Sequence, residues 1–324
     1  MKAFLRSREA TLAVIILLLL AAVSLRFPSF LRAANLYDLL NDTALLFMVA
    51  IGQMLVIITG GIDLSVSSGI ALVGMAVGML NQHYPGIPML GILVISLGMG
   101  LALGAFNGLL VSQARIPPII ATLGTLSIYR GFVFVLSGGQ WVSAHEMSDA
   151  FRELPRAAPL GLTNLLLCAV VISVLAALFL KLTRTGRGIY GAGGNRLAAQ
   201  YVGIDLKKTD FLVFCLSGLI VGLAGLLWVA RYASAQNETA AGFHLPTIAA
   251  CVIGGVSILG GTGTVPGVLL GALFLGIVNN ALTVINLSPF YQMAIQGFVI
   301  LVAIVANTLV DRRTRLSMLR RRAL

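Results

Sequence analysis

Apolar runs of about twenty residues recur along the whole chain, separated by short polar or glycine-rich breaks. A helix needs roughly 20 mostly apolar residues to cross the hydrocarbon core of a bilayer. The pattern therefore predicts ten spans, at about 9–26, 43–60, 64–81, 88–112, 117–137, 161–181, 210–231, 245–260, 264–285 and 290–310. The eighth is short and rich in glycine, so a broken or re-entrant helix is expected near 245–264. The expected fold is all-α and polytopic: one transmembrane domain over 1–324, with one long polar interruption at about 182–209 and a basic tail at 311–324.

Composition reinforces the pattern. The 324 residues are 58% hydrophobic and 10% charged, and the mean hydropathy is +0.99. A soluble chain of this length could not hold so few charges against its surface. The 36 glycines suit membrane helices, which pack through small residues because lipid supplies no hydrophobic drive. The net charge of +11 points to membrane orientation and not to nucleic acid. With the N-terminus inside, the cytoplasmic loops hold sixteen of the 22 lysines and arginines, which places both termini and the 182–209 loop in the cytosol. The N-terminal stretch could be taken for a signal peptide, but the later spans and its own length favour an uncleaved first helix. Cys168, Cys215 and Cys251 each lie in an apolar run and are expected as small buried hydrophobes. The longest external loop, about 138–160, is expected to carry a short interfacial helix, with Trp141 near the membrane boundary.

The chemistry is sparse. The sequence has no GxxxxGK[ST], GxSxG or HExxH, so neither a P-loop nor a hydrolytic motif is present. Asp63 is the one acid near a helix start within the membrane region, with Asp38 and Asp42 assigned to an interface. Ion-coupled carriers keep buried ionisable groups to hold the coupling ion; their scarcity here suggests that energy arrives from outside the chain. Polar groups able to face a solute cavity are Gln53, Asn107, Thr122, Thr125, Ser127, Asn279, Asn280, Gln292 and Gln296; each could instead bridge helices. Tyr129 and Arg130 are placed near the outer end of the fifth span, either as part of a receiving surface or as an interfacial aromatic and a snorkelling cation.

Two stretches carry more specific expectations. In "GGIDLSVSSG" (60–69), Gly60 and Gly61 allow a tight turn and Asp63 or Ser65 caps the third span; the same turn could belong to a gate. A second Gly-Gly turn followed by a glycine-dotted helix begins at Ile258, a faint internal echo of the first at Ile58. In "GGNRLAAQYVGID" (193–205), Asn195 is a candidate N-cap. Leu197, Ala198, Tyr201 and Val202 share one face of a short helix, and Gly203 is a natural stop. Spacing alone leaves this as either a capped connector or a docking helix.

"GGIDLSVSSG" (60–69), "FNGLLV" (106–111), "IPPIIATLGTLSIYRG" (116–131), "GRGIYGAGGNRLAAQYVGI" (186–204) and "IAACVIGGVSILGGTGTVPGVLLGA" (248–272) occur in this order. Together they resemble the membrane permease of bacterial ABC importers for monosaccharides, the group that handles ribose, xylose, rhamnose and autoinducer-2. The resemblance covers nearly the whole chain; the family usually has glycine where Ser67 stands. It implies that the 182–209 loop is a coupling element seated in a groove on a cytoplasmic ATPase. The contacts would be Gly194, Asn195, Ala198, Ala199, Gly203 and Ile204, with Arg196 among them. It also implies alternating access and a second permease chain, identical or paralogous. A periplasmic sugar-binding protein would deliver the solute, and ATP and Mg would be held by the ATPase and not by this chain. Residues 129–148 look closest to rhamnose or autoinducer-2 permeases. The competing readings are an ion-coupled secondary carrier and a membrane-embedded enzyme or scaffold.

Overall fold

The computed structural model describes residues 8–285 and, beyond them, 287–288, 290–299, 301–302 and 305. The tail at 311–324 and the first seven residues lie outside the described residues, as do both termini. Twelve α-helices follow in order: α1 (Arg8–Arg26), α2 (Ala33–Ile58), α3 (Val66–His83), α4 (Met89–Ser112), α5 (Pro118–Ser137), α6 (Asp149–Glu153), α7 (Asn164–Leu182), α8 (Arg184–Gly194), α9 (Arg196–Tyr201), α10 (Leu206–Tyr232), α11 (His244–Ile253) and α12 (Val265–Val284). Residues 290–299, within the expected tenth span, are helical where described. No strand forms among the described residues; a lone antiparallel bridge joins Val142 to Ala235.

Seven of these helices are long and apolar enough to cross a membrane: α1, α2, α4, α5, α7, α10 and α12. The ten expected spans differ from these at four places, the first being α2, which begins at Ala33 and not near 43, so that Asp38 and Asp42 lie within the helix. Helix α3 has 18 residues and ends in the polar run Asn81-Gln82-His83. Helix α11 has only ten, about 15 Å at 1.5 Å per residue, half of a hydrocarbon core. The 290–310 segment is described only in part.

The bundle is layered. In α2, 94% of the most apolar window is buried, against 17–28% in α1, α4, α5 and α7, whose remaining surface is apolar and faces outward as lipid-contacting helices do. Helix α10 runs beside α2 and joins α3 to α4. The α4–α10 seam is built from glycine. A Cβ on Gly100 would lie 2.3 Å from the Gly218 carbonyl, and one on Gly222 would lie 2.3 Å from the Ser96 carbonyl. The backbones touch, which is how membrane helices gain dispersion energy in a solvent as apolar as leucine. Gly222→Leu should therefore cost more than the ~1–3 kcal/mol typical of overpacking, and the detergent-solubilised variant should melt at a clearly lower temperature than Gly98→Leu, whose site has open space.

Two non-helical segments interrupt the bundle. Gly61 N–H donates to Val56 O at 3.1 Å, and the Gln53 amide, oriented to satisfy both groups, pairs with Asp63 O at 3.0 Å and Asp63 N at 3.2 Å. Gln53 lies five residues, about 7.5 Å, before the end of α2. Residues 59–65 thus double back along α2, and α3 starts inside the bundle. Residues 233–243 form a second non-helical segment at the opposite end, partly exposed and held by side chains. Arg130 donates to the carbonyls of Asn237 and Thr239, Asn237 donates to Gly139 O at 3.0 Å, and α11 then begins at His244. The first turns of the two short helices meet there, with Ser67 Oγ 3.0 Å from His244 Nδ1. Extended backbone at this depth is tolerated because side chains and neighbouring peptides satisfy it.

Candidate coupling surface and solute path

The polar loop folds into three helices, each started by a side-chain cap. Thr183 Oγ1 accepts from Gly186 N at 2.9 Å and opens α8. Asn195 Oδ1 accepts from Ala198 N at 3.0 Å and opens α9. Asp205 Oδ1 accepts from Lys208 N at 3.1 Å and opens α10; this bond holds the Asp205 carboxyl below its ordinary range. Gly203, at φ +85°, ends α9, and Ile204 N–H returns to Ala199 O at 2.9 Å, closing the left-handed stop that glycine permits. The connection is therefore rigid on both sides of α9.

Its two faces differ. Ala199 is buried, whereas Ala198 is exposed beside Leu197, Tyr201 and Val202, which are 70%, 91% and 76% exposed. The outer face of this capped helix therefore holds apolar side chains in water. The inner side is tight. A Cβ on Gly193 would lie 1.7 Å from Ile58 O and 2.7 Å from Gly261 N. Gly261 N–H donates to Ile58 O at 2.8 Å, Tyr190 Oη donates to Gly263 O at 2.8 Å, and Arg196 reaches Thr59 O at 3.3 Å while pairing with Asp210. The Gly-Gly turns at 60–61 and 260–261 are thus brought together under Gly193, each with left-handed glycine, φ +86° at Gly60 and +88° at Gly260. Gly194 lies against Gly261. Displacement of α9 bears directly on the end of α2, on the doubled-back segment, and on the turn before α12.

Of the nine candidate path residues, Ser127 is exposed and Gln292 Nε2 donates to Leu287 O at 2.8 Å; the other seven fall into two groups. Gln53, Asn107, Thr122 and Thr125 are buried at the doubled-back segment. Asn107 Nδ2 donates to Ser65 Oγ at 2.8 Å, and Ser65 donates through both Oγ (2.7 Å) and N–H (2.9 Å) to Asp63 Oδ1. Thr122 Oγ1 donates to Ile62 O at 3.0 Å, and Thr125 to Thr122 O at 3.3 Å. Gln53, Asn107 and Thr122 clamp residues 62–65, Thr125 bonds back within α5, and none of the four borders the solute-sized cavity described below. Asn279, Asn280 and Gln296 border that cavity, of about 530 Å³, together with Asp42, Thr43 and Phe243. It lies toward the end of the bundle remote from α9, since Asp42 is sixteen residues before the end of α2.

Neither Asp63 nor Ser65 caps α3: Asp63 accepts the Ser65 N–H two residues on, in a local turn ahead of the helix, and Ser65, at the N-cap position, makes no side-chain cap bond. Asp63→Ala leaves two buried donors of Ser65 without their acceptor, a loss of about 1–3 kcal/mol. A lower melting temperature with uptake reduced but retained is expected; complete loss of uptake at normal expression would assign the turn to gating. Tyr129 and Arg130 are engaged inside the chain. Tyr129 is buried and donates to Leu103 O at 2.8 Å, and Arg130 holds residues 237–239.

Sequence reasoning missed two features. Ile258 and Leu259 are exposed apolar residues beside the Gly193 junction; the echo at Ile258 was their only trace. The ion pair of Asp42 with Arg231 joins α2 to α10 beside the cavity that Asp42 borders, although the two residues are 189 positions apart. Among the described residues, no three His, Cys, Asp or Glu groups gather as a metal site requires.

The family described as "Branched-chain amino acid transport system / permease component" matches residues 35–304. The Ribose import permease protein RbsC of Escherichia coli K12 is 37% identical over 310 residues, covering 94% of this chain and 95% of that protein. The Autoinducer 2 import system permease protein LsrC of Enterobacter sp. 638 is 35% identical over 308 residues, covering 95% and 88%. The Ribose import permease protein RbsC of Bacillus subtilis 168 is 35% identical over 291 residues, covering 90% and 89%. No solved structure matches the chain at a significant level. Matched over its length to permeases, and built of apolar helices in two layers, the chain belongs to the permease family of ABC importers that includes the ribose and autoinducer-2 permeases.

Proposed function

We propose that this chain is the multi-pass inner-membrane permease of an ATP-driven importer for a monosaccharide or a related small sugar-like solute. Rhamnose or autoinducer-2 is slightly favoured, with ribose and xylose next. The carrying observation is the exposed apolar face of α9 joined by a rigid, glycine-tight contact at Gly193 to the end of α2. Such a face receives a partner's motion and passes it to the most buried helix of the bundle.

In this reading a cytoplasmic ABC ATPase holds ATP and Mg and seats α9, with Gly194, Asn195, Arg196, Ala198, Ala199, Gly203 and Ile204 at or behind the contact. A periplasmic sugar-binding protein delivers the solute at the opposite end, and a second permease chain completes the path. The cavity bordered by Asn279, Asn280 and Gln296 suits a neutral polyol: amides offer weak hydrogen bonds, and weak binding permits release. The chain itself performs no chemical conversion. Reconstitution tests the reading. Proteoliposomes with the permease, an ATPase and a binding protein should accumulate radiolabelled sugar when ATP is enclosed with the ATPase. The permease alone, given a proton or sodium gradient, should accumulate none. Accumulation by the isolated chain would establish the ion-coupled carrier instead.

A further inference from the structure

We propose that the basic end of the bundle carries a phosphate-group site behind α9, between α9, α10 and the turn joining α4 to α5. A cavity of about 420 Å³ opens there. Its wall on α9 is formed by Arg196 and Gln200, four residues apart and so on one helix face, opposite in role to the exposed Leu197, Ala198, Tyr201 and Val202. A partner seated on the outer face of α9 leaves this inner cavity in place.

The charge in the cavity is unbalanced. Asp210 is the one acid among the lining residues, and Arg196 pairs with it. Arg115 and Lys207 remain, and neither forms an ion pair among the described residues. The first turn of α5, a helix of 20 residues, also borders the space at Pro117 and Pro118, adding the positive end of its dipole. An independent observation points to a ligand. Ser112 lines the same cavity, is only 3% exposed, and its Oγ has no hydrogen-bond partner. A buried hydroxyl without a partner is costly, and a ligand oxygen that reached Ser112 Oγ would remove that cost.

Fork, point charge and hydroxyl donor together match a group with several acceptor oxygens. Arginine presents paired donors, lysine a compact charge, and a phosphate accepts from both. A neutral sugar needs neither cation, so this site is separate from the solute cavity at the other end. The phosphate could belong to an anionic lipid headgroup of the adjacent leaflet or to a soluble phosphate. In either case it would tie the inner face of α9 to the α4–α5 turn and stiffen the surface offered to the ATPase.

The full chain in nanodiscs of neutral phosphatidylcholine supplies the test, read by thermal unfolding and native mass spectrometry. Increasing fractions of phosphatidylglycerol form one arm and inorganic phosphate in the bath forms the other. A single saturable site is expected in at least one arm: response to phosphatidylglycerol alone assigns the lipid, and response to inorganic phosphate assigns the soluble source. The double variant Arg115→Gln, Lys207→Gln should bind about tenfold or more weakly, as the loss of charge-assisted contacts implies. Ser112→Ala should bind a few-fold more weakly, and Lys208→Gln, which removes the same charge from a residue outside the cavity, should bind as the parent does. The site is overturned by an absence of saturable binding in both arms, by unchanged affinity in the double variant or in Ser112→Ala, or by equal weakening in Lys208→Gln, which marks diffuse surface attraction.

Discussion

Ala198→Trp is expected to leave the chain folded and inserted while cutting ATP-dependent uptake by tenfold or more. Ala198 is exposed on the outer face of α9, so an indole there points to solvent and displaces no buried group. Its N–H remains the donor to Asn195, so the cap persists. A partner groove shaped for a methyl group must reject about nine additional heavy atoms, and misfit at the centre of an interface costs on the order of 2 kcal/mol or more, which is above tenfold in occupancy. The measurement pairs sugar uptake with ATP hydrolysis in the reconstituted transporter, and a thermal melt of the permease serves as the folding control. Uptake at the parent rate with an intact fold would remove α9 from the coupling contact.

The second large effect is at Gly193, and here the damage is internal. An added Cβ would stand 1.7 Å from Ile58 O and 2.7 Å from Gly261 N. Both obstacles are backbone, so no rotamer change relieves them. Gly193→Ala, the smallest possible substitution, should destabilise by at least about 3 kcal/mol, the upper end of ordinary overpacking, or separate α8 from α2 and abolish transport. Gly203→Asn is the matched control. Gly203 also has a left-handed φ, but nothing lies within 4 Å of its would-be Cβ, and asparagine tolerates that conformation better than other residues with a Cβ. A lower melting temperature in Gly193→Ala with a near-parent melting temperature in Gly203→Asn is expected. A Gly193→Ala chain that melts and transports like the parent would show that the junction under α8 is not tight.

Both predictions concern the loop whose polar composition first separated it from the rest of the chain, yet they draw on different information. The outer face of α9 was readable in advance. Asn195, the spacing of Leu197, Ala198, Tyr201 and Val202, and Gly203 are local signals, and local signals set helix starts, faces and stops. The role of Gly193 was not, because nothing near it in sequence shows that Ile58 and Gly261 close on it from two distant segments.

The same division holds for the rest of the molecule. Hydrophobic periodicity and charge asymmetry determined an all-helical, multi-pass chain, the positions of its long helices and the short glycine-rich break at α11, because bilayer thickness and backbone hydrogen bonding act on each segment separately. Only the tertiary structure decided that residues 59–65 double back along α2. It also decided that Gln53, Asn107 and Thr122 serve that turn, that Asn279, Asn280 and Gln296 border a cavity with Asp42, and that Arg231 reaches Asp42 across the bundle. A buried amide has the same sequence signature whether it bridges peptides or faces a solute. Its role is set by which distant backbone lies within 3 Å, and that distance follows from helix packing, where glycines on separate helices decide how closely the backbones approach.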